Sequence, residues 1–413
     1  MKKIVLTLLA ALPLIATAQT FDFDLTIPQP TYSEETGYGY DLLPAPNLKK
    51  PTGEPFYFSV KVPDGNYRVS LVLGSKKFAG ETTVRAEARR LMFENIATKK
   101  KETKTLQFTV NKREPQIDNK SRVRIKDREK GSLTWDEKLT LEFNGTAPMV
   151  QRIHIERADD VPTIYLCGNS TVTDQRNEPW ASWGQMVTRW FDEGVSISNH
   201  AESGLTARTF LAGGRLDKIL STLKKGDYVV CEFGHNDEKE KKPGDGAWYH
   251  YAYNLKIFID QVRQKGATII FCTPTQRRSF DKEGHITNSH HDFPAAMRSV
   301  AERENVPVIH LNAMTKTFFE AMGVEDSKHS LVHYPANTFE GQTKELADNT
   351  HFNPFGAYEV AKCVIMGMKD LKLPILNHLR PDWQDFDPAK PDDWKTFKWA
   401  PARAYDLVKP DGN

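Results

Sequence analysis

The chain is 413 residues long, more than a single hydrophobic core ordinarily holds, so two domains are expected. Its 56 Lys and Arg stand against 54 Asp and Glu, a net charge of +2, which argues against a strongly basic nucleic-acid binder and against an acidic tail. Hydrophobic residues make up 39%, ordinary for a soluble protein with long loops.

Lys2 and Lys3 precede the apolar run Ile4 to Ile15, and Ala16-Thr17-Ala18 supplies small residues before Gln19. This is the pattern of a secretory signal peptide over 1–18, with an apolar run too short to span a bilayer. A periplasmic or extracellular protein with no membrane span in the mature chain is expected. Cys167, Cys231 and Cys272 fall in or near predicted strands and Cys363 in a predicted helix, so all four read as buried free thiols.

Residues 19–158 read as an all-β sandwich. Phe56, Phe58, Val60 and Val62 alternate, Pro63-Asp64-Gly65-Asn66 makes a turn, and Tyr67, Val69, Leu71 and Leu73 alternate back, which predicts a hairpin. Leu106, Phe108 and Val110, then Leu139, Leu141 and Phe143, then Ile153 and Ile155 keep the period of two. The stretch from Thr31 to Gly53, rich in Tyr, Gly and Pro, is expected to be an irregular wrap. Such sandwiches on exported enzymes bind glycan or shape the substrate site, and the sequence shows no aromatic platform that decides between them.

At Asp159-Asp160-Val161-Pro162 the texture changes, and 159–372 reads as alternating strands and helices. Strands are expected at Ile164 to Cys167, Val195 to Ser198, Tyr228 to Phe233, Thr268 to Cys272 and Val308 to Leu311. Leu216, Ile219, Leu220 and Leu223 recur at helical spacing, as do Tyr251, Leu255, Phe258 and Val262. The expected fold is a three-layer α/β/α domain on a five-stranded parallel sheet. Residues 373–413, punctuated by Pro381, Trp383, Pro388, Pro391, Trp394, Trp399 and Pro401, are expected to wrap back over the surface.

The chemistry gathers at strand ends. Gly168 breaks the first α/β strand and leaves Ser170 at its carboxyl end, where loops of open α/β sheets form ligand crevices. Taken alone, such a serine is more readily a helix cap than a nucleophile. The second strand runs into Asn199-His200-Ala201-Glu202-Ser203-Gly204, whose glycine lets a backbone N–H approach a ligand closely. The third runs into Gly234-His235-Asn236-Asp237, where Asn236 aims an amide donor at the same crevice. The N–H groups of Ser170 and Gly204 with the Asn236 side chain make three donors for a developing oxyanion. A base is then required, and Asp348-Asn349-Thr350-His351 has the spacing for one short loop to present an acid-oriented imidazole.

Gly168-Asn169-Ser170-Thr171, Gly204 after Asn199-x-Ala201, Gly234-His235-Asn236-Asp237 and Asp348-x-x-His351 resemble, in order, the four blocks of the SGNH (GDSL-type) hydrolases. The details are most similar to the rhamnogalacturonan acetylesterases of carbohydrate esterase family 12, over about residues 161 to 372. The resemblance implies a flavodoxin-like α/β/α fold, here preceded by a jelly-roll, galactose-binding-like sandwich. It implies Ser170 as nucleophile, His351 as base oriented by Asp348, and an oxyanion hole of Ser170, Gly204 and Asn236. It also implies an acetylated pectic oligosaccharide or polysaccharide as substrate, with no metal or organic cofactor. The family's usual aspartate before the serine is Asn169 here, which puts its electrostatic role in doubt.

Arg277 and Arg278, with His291, sit in the long polar segment Thr273 to Phe293 and are candidate contacts for a uronate carboxylate; intraprotein salt bridges are the competing reading. Trp180, Trp183 and Trp248 are candidates for stacking on sugar rings. His285, His290, His291, His329 and His333 match no metal-ligand spacing and read as exposed or sugar-contacting. An esterase for another acetylated glycan such as xylan, or for another acyl ester, and a catalytically silent glycan-binding protein remain the alternatives.

Overall fold

Strand β10 (Thr163–Gly168) is buried on both faces, which is why its sequence is a continuous apolar run and not an alternating one. It lies second in the parallel sheet β11-β10-β12-β13-β14, formed with β11 (Ser196–Asn199), β12 (Tyr228–Glu232), β13 (Thr268–Cys272) and β14 (Val308–Ile309). The fifth strand is shorter than expected, because Leu311 already starts a helix. The computed structural model describes residues 20–411, so the leader expected at 1–18 lies outside the described residues.

Alternate strand residues feed two separate cores. Ile164, Leu166, Val230 and Ile270 pack with helices α1 (Trp183–Met186), α6 (Leu311–Asp326) and α7 (Pro354–Asp370). Tyr165, Cys167, Val229, Cys231 and Phe271 pack with α2 (Ala207–Ala212), α3 (Arg215–Thr222), α4 (Ala252–Gln264) and α5 (Phe293–Glu304) on the other face. The order is that of a doubly wound sheet, and the carboxyl ends of β10, β11 and β12 sit side by side at its switch point. The four cysteines are free and buried.

The N-terminal half folds as two antiparallel sheets around one apolar core. One sheet has the order β1-β9-β4-β7, from Thr20–Asp24, Val150–Arg157, Gly65–Gly74 and Thr103–Lys112. The other has the order β2-β3-β8-β5-β6, from Tyr38–Asp41, Phe56–Lys61, Lys138–Ala147, Gly80–Ala86 and Arg90–Thr98.

Two expectations need correction. β3 pairs with β2 and β8 whereas β4 pairs with β7 and β9, so Pro63 to Asn66 is no hairpin turn but a crossing between sheets. Period-two alternation fixes which face of each strand is apolar, and two such faces can meet across a core as well as side by side in one ladder. Asp64 in this turn accepts from Glu114 N at 2.7 Å and pairs with Lys218 of α3 at 2.6 Å, so the turn is tied to the α/β half. The wrap expected from Thr31 to Gly53 contains β2, an edge strand that buries Tyr40.

The last residues run over both halves. The guanidinium of Arg85 stacks on Trp399 at 4.4 Å and donates to Ala400 O, while Asn144 Nδ2 donates to Pro401 O at 2.9 Å. Trp383 packs on Trp190 with ring centroids 5.0 Å apart. Further on, Trp180 Nε1 donates to Asp406 O at 2.7 Å, and Lys409 reaches Asp348. Among the described residues no helix is long and apolar enough to cross a membrane.

Candidate active site

The turn after β10 folds so tightly over β12 that a Cβ on Gly168 would lie 2.6 Å from Val172 Cγ2 and 2.9 Å from Glu232 O. Glycine is therefore required there, and the turn carries Ser170 out at the sheet edge. Asn169 Oδ1 accepts from Thr171 N at 3.2 Å and lies 3.0 Å from the Thr171 hydroxyl, which also meets Glu232 Oε1 at 2.8 Å. One hydroxyl proton serves two acceptors in this arrangement. Burial pushes the Glu232 carboxyl up to about 7, against the hydrogen bonds of Trp183, Thr171 and Thr275, so near neutral pH it also exists protonated, able to donate to Thr171.

Ser170, His351 and Asp348 are hydrogen-bonded in series: Ser170 Oγ to His351 Nε2 at 2.9 Å, and His351 Nδ1 to Asp348 Oδ2 at 2.8 Å. Asp348 and His351 were expected on a short loop. They lie instead within β16 (Leu346–Phe352), paired irregularly with β15 (Leu331–Tyr334). The spacing works because Asp348 Oδ1 accepts from Thr350 N at 2.8 Å and His351 N at 3.0 Å, bending the strand back over its own carboxylate. Burial opposes ionisation of Asp348, but the bond and charge of His351 and these two N–H groups hold it well below the usual carboxylate range. Lys409 adds a cation 3.3 Å from Asp348 Oδ2. The Trp180 ring meets His351 edge-on at 5.6 Å.

Three loops converge beside Ser170. Gln175 Nε2 donates to Ser170 O at 2.9 Å and approaches Ser203 Oγ at 3.5 Å, and Glu202 N donates to Gly168 O at 3.3 Å. Gly204 adopts φ +77°, in the left-handed region that favours glycine. Asn236 Nδ2 spends one proton on Leu205 O at 3.1 Å and its Oδ1 accepts from Lys239 at 3.2 Å, which fixes the amide with a second N–H left over. Asp237 accepts from Gly234 N and from Ala207 N, clamping this loop to the start of α2. Among the described residues no protein group accepts from the N–H of Ser170 or of Gly204. A nucleophile, an acid-oriented base and unpaired N–H donors are what acyl transfer demands.

Other expected contacts fall differently. The Arg277 guanidinium pairs with Glu238 at 2.6 Å and donates to His235 O, whereas Arg278 donates to Ser327 Oγ, Asn349 Oδ1 and Val324 O. His291 is exposed at φ +49°. His290 is fully buried between Glu238 and Thr275 O, contrary to the reading of it as exposed or sugar-contacting. Trp180 and Trp183 are buried too, so of the three candidate stacking tryptophans Trp248 alone is exposed.

Glu240, Asp245 and His250 lie close enough to share a cation. However, Gly246 N–H already occupies His250 Nδ1, and Arg208 bridges both carboxylates at 2.8 and 3.0 Å. Residues that sequence reasoning missed include Glu232, whose one signal is a charge at the end of the apolar run Tyr228-Val229-Val230-Cys231, and Gln175, Lys126 and Lys409, which carry none.

Residues 166–357 match the model of the GDSL-like lipase/acylhydrolase family. The rhamnogalacturonan acetylesterase RhgT of Bacillus subtilis is 40% identical over 218 residues, covering 52% of this chain and 93% of the relative. The rhamnogalacturonan acetylesterase of Emericella nidulans is 30% identical over 220 residues, 48% of this chain and 81% of the relative. The solved structure of the Bacillus subtilis protein YxiM aligns over 86% of this chain and 99% of its own at 22% identity, with a TM-score of 0.46. Sequence kinship over nearly the whole of one relative therefore coincides with a hydrogen-bonded Ser170, His351 and Asp348 at the switch point of a parallel sheet, and the chain belongs to the GDSL-like lipase/acylhydrolase family as a carboxylic ester hydrolase.

Proposed function

We propose that this protein is an exported O-acetylesterase that removes acetyl groups from rhamnogalacturonan through an acyl-enzyme on Ser170. The observation that carries the mechanism is the series Ser170 Oγ, His351 Nε2, His351 Nδ1, Asp348 Oδ2. His351 takes the Ser170 proton as the oxygen attacks the acetyl carbonyl, and the N–H groups of Ser170, Gly204 and Asn236 hold the oxyanion. The sugar oxygen leaves with the proton from His351. Water then attacks the acetyl-serine, giving its proton to His351, and acetate departs as Ser170 regains a proton. Asp348 keeps the imidazole in the tautomer that accepts at Nε2 and stabilises its charged form. Every step draws on side chains, backbone and water.

The substrate class is supported by the printed activities of the two acetylesterase relatives. Export is supported by the leader pattern Lys2, Lys3, Ile4 to Ile15 and Ala16-Thr17-Ala18. The deciding experiment is acetate release by the mature protein from acetylated rhamnogalacturonan, acetylated xylan and a long-chain acyl ester in parallel. Fast release from the pectic polymer is expected. Preference for xylan would keep the mechanism and overturn the substrate, and no release from any of the three would overturn the esterase assignment. Amino-terminal sequencing of the protein from the exported fraction, expected to begin near Gln19, tests the leader.

A further inference from the structure

The 113–137 connection between β7 and β8 of the sandwich lies against the 199–204 loop of the hydrolase half. Arg113 donates to Asn199 O, Arg128 pairs with Glu202 at 3.4 Å, and Glu129 pairs with Arg215, which itself donates to His200 O at 3.0 Å. At the end of this row Lys126 Nζ donates to the buried carbonyl of Ser203 at 2.5 Å. The same ammonium lies 3.0 Å from where a Cβ on Gly204 would stand and pairs at 3.3 Å with Asp411, whose own Cβ lies 2.8 Å from that position.

The Ser203 carbonyl and the Gly204 N–H belong to one peptide group. That group is planar, so a bond that fixes the oxygen also fixes the direction of the N–H. A cation at the oxygen draws density out of the amide nitrogen and makes its N–H a stronger donor, in the way that chained hydrogen bonds polarise one another. The Lys126 ammonium, shared with the half-exposed Asp411 carboxylate, stands one peptide away from the place where negative charge develops.

We infer that Lys126 is a positioning residue of the esterase site, through which the sandwich orients and polarises the Gly204 N–H for the oxyanion. The sandwich is then part of the catalytic unit and not a detachable glycan-binding appendage. The inference rests on Gly204 serving as an oxyanion donor.

The test is a graded series, Lys126→Arg, Lys126→Gln and Lys126→Met, assayed with a small acetyl ester and by the rate at which an organophosphate phosphorylates Ser170. Organophosphate attack develops an anionic oxygen in the same donors without using the glycan subsites. Lys126→Met is expected to lower kcat and the phosphorylation rate about tenfold, a fraction of the roughly 10² to 10³ lost with a whole donor. KM should stay within about twofold, Lys126→Arg should restore most of the rate, and Lys126→Gln should fall between, since charge-assisted donors are the strongest. Asp411→Asn, which leaves the bond to Ser203 in place, should keep kcat. An unchanged kcat in Lys126→Met, a change in KM alone, or an equal loss in Asp411→Asn would overturn the inference. Retained turnover in Ser170→Ala would instead overturn the reading of the site on which it rests.

Discussion

Arg90 and Asp174 join the two halves through a salt bridge whose side chains are both 0% exposed, with Nε 2.8 Å from Oδ2. Replacing Arg90 by Met keeps the stem and removes the charge. Asp174 would then hold its carboxylate in a dry interface with Asn199 Nδ2, at 2.8 Å, as its remaining donor, and Asn111 O would lose the Arg90 bond of 2.8 Å. Stranding a buried partner costs about 3 to 5 kcal/mol, and the Asn199 bond places this loss near the lower end, about 3 kcal/mol. Arg90→Met with Asp174→Asn removes both charges and should recover about 2 kcal/mol relative to the sum of the single losses. Urea unfolding followed by tryptophan fluorescence and far-ultraviolet circular dichroism measures the cycle. A loss below about 1 kcal/mol for Arg90→Met, or strict additivity in the double variant, would refute the claim that this pair is buried and coupled.

Asn236→Ala should lower kcat by roughly 10² to 10³ with little change in KM, the size seen for one oxyanion donor; a loss below about tenfold would remove Asn236 from that role. Asp348→Asn should lower kcat by about 10⁴, since an amide favours the wrong imidazole tautomer. Because the Asp348 carboxyl is held below its ordinary range, its ionised form contributes stability above about pH 4 that is lost as pH falls, so the wild-type unfolding midpoint should drop more steeply in acid than that of Asp348→Asn. Glu232 has the opposite sign. Unfolded, it ionises from about 4.5, and folded it holds its proton to about 7, so stability falls across that window and not above it, by roughly 3 kcal/mol at most. Glu232→Gln, whose amide donates to Thr171 while its oxygen accepts from Trp183, should flatten that stretch of the stability profile; an unchanged slope would contradict the protonated carboxyl.

What the sequence made readable is what local patterns encode. The strand ending at Gly168, the glycine at 204 and the spacing of Asp348 and His351 are short-range features, and each follows from backbone geometry within a few residues. The pairing partner of β4 is not such a feature, because apolar alternation in Tyr67, Val69 and Leu71 is the same whether the strand's neighbour is β3 or β9. Strands β5 and β6 hid for a related reason. Arg85 and Arg90 in these strands, and Arg89 in the turn between them, are buried against the hydrolase half or the C-terminal residues, which breaks the polar-out pattern by which a half-buried strand is recognised. Lys126, Lys409 and Gln175 reach the site from distant segments or loops, and their chemistry is visible only once the chain is folded.

The intermediate that separates this mechanism from every other is an acetyl group carried by Ser170. The protein would be mixed with an excess of acetylated substrate, quenched in acid during turnover, digested and mapped by mass. The predicted result is one acetyl on the peptide bearing Ser170, absent from Ser170→Ala, which should also release no acetate. Acetate release at the wild-type rate by Ser170→Ala, or an acetyl found on another side chain, would contradict it.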